Sequence, residues 1–214
     1  MRRRRLCGAA LGACAAAMAP GCAMPPPPPP RTIAPQPRLF AGEAAGSGPS
    51  TRGRVALRVT PEVRSLQTGT VALPYALRSG AMVEQALALA LGDGLQGGVQ
   101  LLDPASPAGS GFDAVLELRW VQLEFMPHAY PPRTVALSFD LKAGDTAGRT
   151  AWSRIYHDAR IYPMSEQLYL VAPGENSLDA EVRLAHEAAW RLAQQVLRDL
   201  RQWLATERMK EREL

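Results

Sequence analysis

Two stretches in the middle of the chain decide the fold: FDAVLELRWVQLEF (Phe112–Phe125) and TVALSFDLK (Thr134–Lys142). In the first, Leu116, Leu118 and Trp120 alternate with Glu117 and Arg119, which places one apolar face on a strand. Beyond Trp120 the phase flips, and Val121, Leu123 and Phe125 become the apolar set against Gln122 and Glu124. A one-residue phase change inside a strand predicts a bulge, which re-aims the alternation without ending the pairing. The second stretch alternates cleanly, with Val135, Leu137, Phe139 and Leu141 inward and Ser138, Asp140 and Lys142 outward. Ala143–Gly148 reads as a turn, and Thr150–Tyr162 as a returning strand with Ile155, Ala159 and Ile161 on one face. Such a set predicts an antiparallel meander with one face wet.

Upstream, Arg54–Thr60 reads as a strand with Val55, Leu57 and Val59 on one side, stopped by Pro61. A second extended piece falls at Thr70–Leu77, interrupted by Pro74. Ser79 is placed to cap a helix reaching about Leu95, with Met82, Val83, Ala86, Leu87, Ala90 and Leu91 inward. Val99–Leu102 is a short apolar strand, and Asp103–Gly111 a loop. Downstream, Asn176 or Ser177 caps a long closing helix, and Asp179 and Glu181 suit its positive N-terminal end. Its stripe runs through Leu178, Val182, Ala185, Ala189, Leu192, Val196, Leu200 and Trp203. From Ser177 to about Arg208 that helix would measure roughly 48 Å, so its last turns are expected to project beyond the sheet. Strands with helices on one face predict an α+β two-layer sandwich, an antiparallel meander sheet with two helices on one face.

The N-terminus has a different character. Met1-Arg2-Arg3-Arg4-Arg5 precedes an Ala/Leu/Gly/Met run from Leu6 to Met18, then Ala19-Pro20-Gly21-Cys22. A basic cluster, a short apolar core and a small-residue exit form a secretory leader. The apolar run is shorter than the roughly 20 residues a membrane-crossing helix needs. Residues 22–53 are rich in Pro, Gly, Ser and Ala. Pro25–Pro30 favours a polyproline II rod of roughly 19 Å, and the remainder has too few large apolar residues to fold. The expected organisation is a leader over 1–21, a disordered tether over 22–53, one domain over 54–208 and a charged tail over 209–214.

Composition narrows the function. The 214 residues hold 24 Lys+Arg and 20 Asp+Glu, a formal net charge of +4. Loss of Arg2–Arg5 with the leader leaves basic and acidic side chains in balance, so no general basic field remains to draw the chain to nucleic acid. All three cysteines, Cys7, Cys14 and Cys22, fall in or beside the leader. Disulfides and thiolate metal sites are therefore excluded from the domain, which packing alone must hold. About 155 residues suffice for one core.

Chemistry is sparse. His186-Glu187 starts like a zinc-protease helix, but the second histidine that chemistry needs four residues on is Trp190, so His186 reads as an exposed helix residue. His128, His157 and Asp158 lack ligand spacing. Ser110 lacks the Gly-x-Ser-x-Gly elbow, no phosphate-cradling glycine loop occurs, and Glu117 and Glu124 read as solvent-side charges. These readings assign no catalytic, metal or cofactor residue, and point away from an enzyme. Two loops read as contact surfaces: Met126–Pro132, with prolines and Tyr130, and Tyr162–Val171.

Ala19-Pro20-Gly21-Cys22 resembles the lipidation box of bacterial lipoproteins, in which the thiol is acylated and becomes the mature N-terminus. Leu11-Gly12-Ala13-Cys14 competes, with the usual Leu but a cramped apolar core before it, and Cys22 is preferred. The residue after the anchor is Ala23, not Asp, which for lipoproteins implies export to the outer membrane. In element order the chain is similar to small outer-membrane lipoproteins, among them the lipopolysaccharide-assembly lipoprotein and the auxiliary lipoproteins of ABC-type lipid transporters. That resemblance implies a periplasm-facing, lipid-anchored accessory in envelope assembly or lipid transport, acting through a protein partner. The alternative is a carrier that holds an apolar ligand between sheet and helices. A hydrolase with scattered residues ranks last.

Overall fold

In the computed structural model, described here for residues 29–40, 51–70, 75–106, 111–127, 133–160 and 177–213, the chain forms an α+β two-layer sandwich. The strands are β1 (Arg31–Ile33), β2 (Val55–Val59), β3 (Thr68–Gly69), β4 (Tyr75–Leu77), β5 (Val99–Leu102), β6 (Ala114–Pro127), β7 (Arg133–Gly144) and β8 (Thr150–Arg160). The helices are α1 (Pro61–Ser65), α2 (Ser79–Gly94) and α3 (Ser177–Glu213), with a 3-10 turn at Pro37–Leu39. The main sheet has the order β5-β2-β6-β7-β8, and a small second sheet the order β1-β4-β3.

The expected antiparallel meander is present as β6, β7 and β8, but the main sheet as a whole is mixed rather than purely antiparallel. β6, β7 and β8 are antiparallel neighbours, but β2 pairs in parallel with both β5 and β6. The α2 crossover between β2 and β5 makes this possible, because parallel neighbours need a long connection. α2 lies over β5, β2 and β6, and packs on α3, which lies over β7 and β8. Between the layers, Leu57, Leu116, Leu118, Leu137, Phe139 and Leu141 meet Met82, Leu87, Leu91, Ala185, Leu192 and Leu200 in one apolar cluster. All six inward positions read for α2 are fully buried.

The bulge is present one residue earlier than the sequence suggests. Leu118 pairs with Leu141 and Trp120 with Asp140, leaving Arg119 as the extra residue. A bulge sets two consecutive residues on one side. Arg119 bonds Asp140 and Ser153 on the wet face, and Trp120 is 40% exposed rather than inward. β8 also differs in phase. Tyr156 is buried against Phe139, while Ile155 is 65% exposed and Ala159 faces out. Its inner side is amphipathic, the Tyr156 hydroxyl donating to Asp199 on α3 at 2.8 Å.

Ser79 opens α2 as its first residue, with Arg78 as the cap position. Its hydroxyl donates to Leu66 O at 3.4 Å and accepts from Thr68 at 3.1 Å, joining α2 to the turn after α1. Part of the expected tether is folded. Arg31–Ile33 pair in parallel with β4, and Phe40 is buried in the core cluster. α3 continues to Glu213, through most of the expected charged tail. Among the described residues no helix is long and apolar enough to cross a membrane.

Candidate functional site

The N-terminal segment meets α3 at the most specific polar arrangement among the described residues. Pro37 starts the 3-10 turn with its fixed φ, and Leu39 N–H and Phe40 N–H donate to Gln36 O and Pro37 O at 2.9 and 3.0 Å. The backbone N–H of Gln36, at the N-terminal end of the turn, donates to His186 Nε2 at 2.9 Å. Val182 O, a helix carbonyl, lies 2.7 Å from His186 Nδ1. A carbonyl can only accept and an amide N–H can only donate, so Nδ1 carries the proton and Nε2 is bare. Burial holds the imidazole below its ordinary pKa, against the opposing effect of Val182 O.

His186 is 0% exposed, which corrects its reading as a surface residue. The reason is tertiary. Phe40 closes over it with ring centroids 4.9 Å apart, and lies 6.2 Å from Trp190. Arg183, His186, Glu187, Trp190 and Arg191 recur at intervals of three and four, a second stripe on α3 beside the one facing the sheet. Arg183 pairs with Glu187 at 2.7 Å, and Arg191 reaches Asp158 on β8 through two bonds of 2.6 and 3.1 Å. Between this stripe and the segment lies a cavity of about 370 Å³ lined by Arg38, Leu39, Phe40, Arg183, Glu187, Trp190 and Arg191.

Further hollows are present among the described residues. One of about 330 Å³ lies on the wet face among Arg58, Glu117, Lys142 and the Gly144–Gly148 turn. Another, of about 580 Å³, separates β8 from α3 at Trp152, Arg154, Asp199 and Trp203, where the two indoles meet edge-on at 5.8 Å. There Asp199 accepts from both Arg154 and Tyr156, and burial pushes the Tyr156 hydroxyl well above its usual pKa.

The other residues weighed from sequence are not brought together. His157 is exposed and bonds Ser138 at 2.6 Å, whereas the neighbouring Asp158 engages Arg191 on α3. His128, Ser110, Cys22, Cys14 and both proposed contact loops, apart from Met126 and Pro127, lie outside the described residues. Among the described residues no three His, Cys, Asp or Glu side chains converge as a metal site. The sequence reading missed Gln36, Phe40 and the Arg183–Arg191 stripe. The spacing of that stripe was the only available signal.

This is the fold of a small mixed-sheet sandwich with a long closing helix. It is similar to protein XCC0632 from Xanthomonas campestris, of the family DUF330, with a TM-score of 0.51 and 13% identity over 85% of this chain and 98% of that one. A minor lipoprotein from Acinetobacter baumannii is similar with a TM-score of 0.40 and 14% identity over 69% and 91% of the two chains. Uncharacterized lipoprotein B from Nitrosomonas europaea is similar at 0.43 and 10% identity over 73% and 86%. No family model and no curated protein matches the sequence.

Proposed function

We propose that the protein is a lipid-anchored envelope component, without catalysis of its own, that acts by docking to partner proteins in outer-membrane assembly or lipid transport. The leader and Cys22 support the anchor. A diacylglycerol with an amide-linked chain exceeds the two-anchor threshold for stable membrane binding. Seating of Arg31–Phe40 on the domain also shortens the span of chain between Cys22 and the domain. Nine residue steps separate Cys22 from Arg31, a reach of about 28 Å at the roughly 3.1 Å rise of polyproline II. The body is thus kept close to the bilayer.

The filled interior carries the choice of docking over ligand carriage. Leu137 and Phe139 are fully buried, Trp190 is 7% exposed, and all three belong to one packed cluster. Around Leu137 and Phe139, side chains occupy the space between sheet and helices where a carried ligand would lie, and the hollow between β8 and α3 is lined instead by Trp152, Arg154, Asp199 and Trp203. Among the described residues Leu66, Leu101, Trp120 and Ile155 are large apolar side chains that face solvent. Trp120 and Ile155 stand on either side of Asp140 in one cross-strand row, spanning roughly 10 Å on the wet face. Tryptophan is over-represented among residues that dominate protein interfaces.

Metabolic labelling with a clickable fatty acid tests the anchor, and photo-crosslinking from position 120 in intact cells tests the docking. Cys22→Ala is expected to abolish label, and position 120 to yield discrete protein adducts. Loss of label in Cys14→Ala with full label in Cys22→Ala moves the anchor to Cys14. Label surviving in the double variant ends the lipoprotein reading. A co-purifying lipid with no protein adduct favours the carrier.

A further inference from the structure

The cavity between the N-terminal segment and α3 combines charge and apolar surface in a way the docking reading does not use. The nearly buried Phe40 and Trp190 line it together with Leu39, and its charged lining is Arg38, Arg183, Arg191 and Glu187. Arg191 is paired with Asp158 and Arg183 with Glu187. Arg38 bonds the neutral side-chain amide of Gln36 at 3.1 Å. Among the described residues no carboxylate pairs with Arg38, so its guanidinium charge stands beside the aromatic pair Phe40 and Trp190. The volume of about 370 Å³ lies within the roughly 300–1,000 Å³ of small-molecule sites.

We propose that this cavity binds the head of an anionic amphiphile, a single phosphate or carboxylate carrying an alkyl chain. Guanidinium is the side chain best suited to the oxyanion, since its planar fork matches two oxygens at once. The start of the alkyl chain lies against Leu39, Phe40 and Trp190. The site is built from two parts of the chain, and Arg38, Leu39 and Phe40 belong to the segment that His186 holds through Gln36. It is complete only while that segment is seated. An occupant therefore stabilises the seated form by mass action. This inference goes beyond the docking function and does not depend on which cysteine is acylated.

Calorimetric titration of the full chain in phosphatidylcholine nanodiscs with octyl phosphate tests it, with empty nanodiscs subtracted. Inorganic phosphate and octyl glucoside are titrated in parallel. The expected result is one saturable site for octyl phosphate, at least about tenfold tighter than either control, because each control lacks half of the recognised chemistry. Arg38→Gln is expected to weaken it roughly tenfold, the loss of one charge-assisted contact, with an unchanged thermal midpoint of the free protein. Arg149→Gln, on the remote β7–β8 turn, is expected to leave it unchanged. Phosphatidylglycerol in the nanodisc assigns the source: competition with octyl phosphate identifies a bilayer lipid, and undiminished binding a free amphiphile. Equal binding of octyl glucoside or of inorganic phosphate, or unchanged affinity in Arg38→Gln, overturns the proposal.

Discussion

The backbone amide of Gln36 donates to Nε2 of His186 at 2.9 Å, joining residues 150 positions apart in the chain. The bond exists only for the neutral ring, because a proton on Nε2 would face the amide proton of Gln36. His186 thereby links the state of one imidazole to the seating of the N-terminal segment.

Stability is expected to fall on acidification. Burial lowers the folded-state pKa of His186 below the ordinary value of about 6.5. Below that value the unfolded chain takes up a proton that the folded chain resists, so the contribution is complete above about pH 6.5 and is lost as pH falls toward the folded pKa. Thermal midpoints between pH 7.5 and 5.0 measure the slope. His186→Gln is expected to flatten it, and an unchanged slope in that variant would assign the acid sensitivity elsewhere.

Phe40→Ala is expected to release the segment without unfolding the domain. Phe40 is the segment's one residue in the core cluster, against His186 and Trp190. Local opening is limited by the free energy that seats a segment, not by global stability. Trypsin cleavage after Arg31 and Arg38 is expected to accelerate about tenfold, as a loss of about 1.4 kcal/mol of seating energy requires. The main thermal transition is expected to move little.

Gly80→Ala is expected to be among the most damaging single substitutions. A Cβ at Gly80 would lie 1.7 Å from Val63 O, a backbone atom. α1 and α2 would have to separate to admit it, disturbing the Ser79–Leu66 and Ser79–Thr68 bonds. Overpacking of this kind costs about 1–3 kcal/mol or more. Urea denaturation of the variant measures it.

Arg64 and Glu84 form a two-bond pair with both distances 2.7 Å, the carboxylate being the more buried partner. Arg64→Ala leaves that carboxylate without its guanidinium and is expected to cost about 1–3 kcal/mol. Arg64→Ala combined with Glu84→Met removes the stranded charge and is expected to recover part of the loss. Denaturant midpoints of the single and double variants give the comparison.

The candidate site was illegible in the sequence for a definite reason. His186 sits next to the sheet-facing stripe of α3, and helical periodicity places it at the edge of solvent. What buries it is a segment of low apolar content whose one large core residue, Phe40, follows a proline turn. A Pro/Gly-rich composition describes the average of such a stretch and misses a single anchor. Ile155 misled in the same way, because alternation reports hydrophobicity, whereas the buried residue of that pair is Tyr156, held by its hydroxyl on Asp199.

By itself the sequence determined the longer elements and the inward face of those whose periodicity is uninterrupted: α2, β7, the sheet-facing stripe of α3, and β6 apart from the residues at its bulge. These are local properties, set by the 3.6 and 2.0 repeats of backbone geometry. Only the tertiary structure decided that β2 lies in parallel between β5 and β6, that Arg119 is the extra residue which turns Trp120 outward, and that Gln36 and Phe40 cover His186. Each of these depends on which distant segment becomes a neighbour. That choice is made by the packing of the whole chain, and no window of sequence contains it.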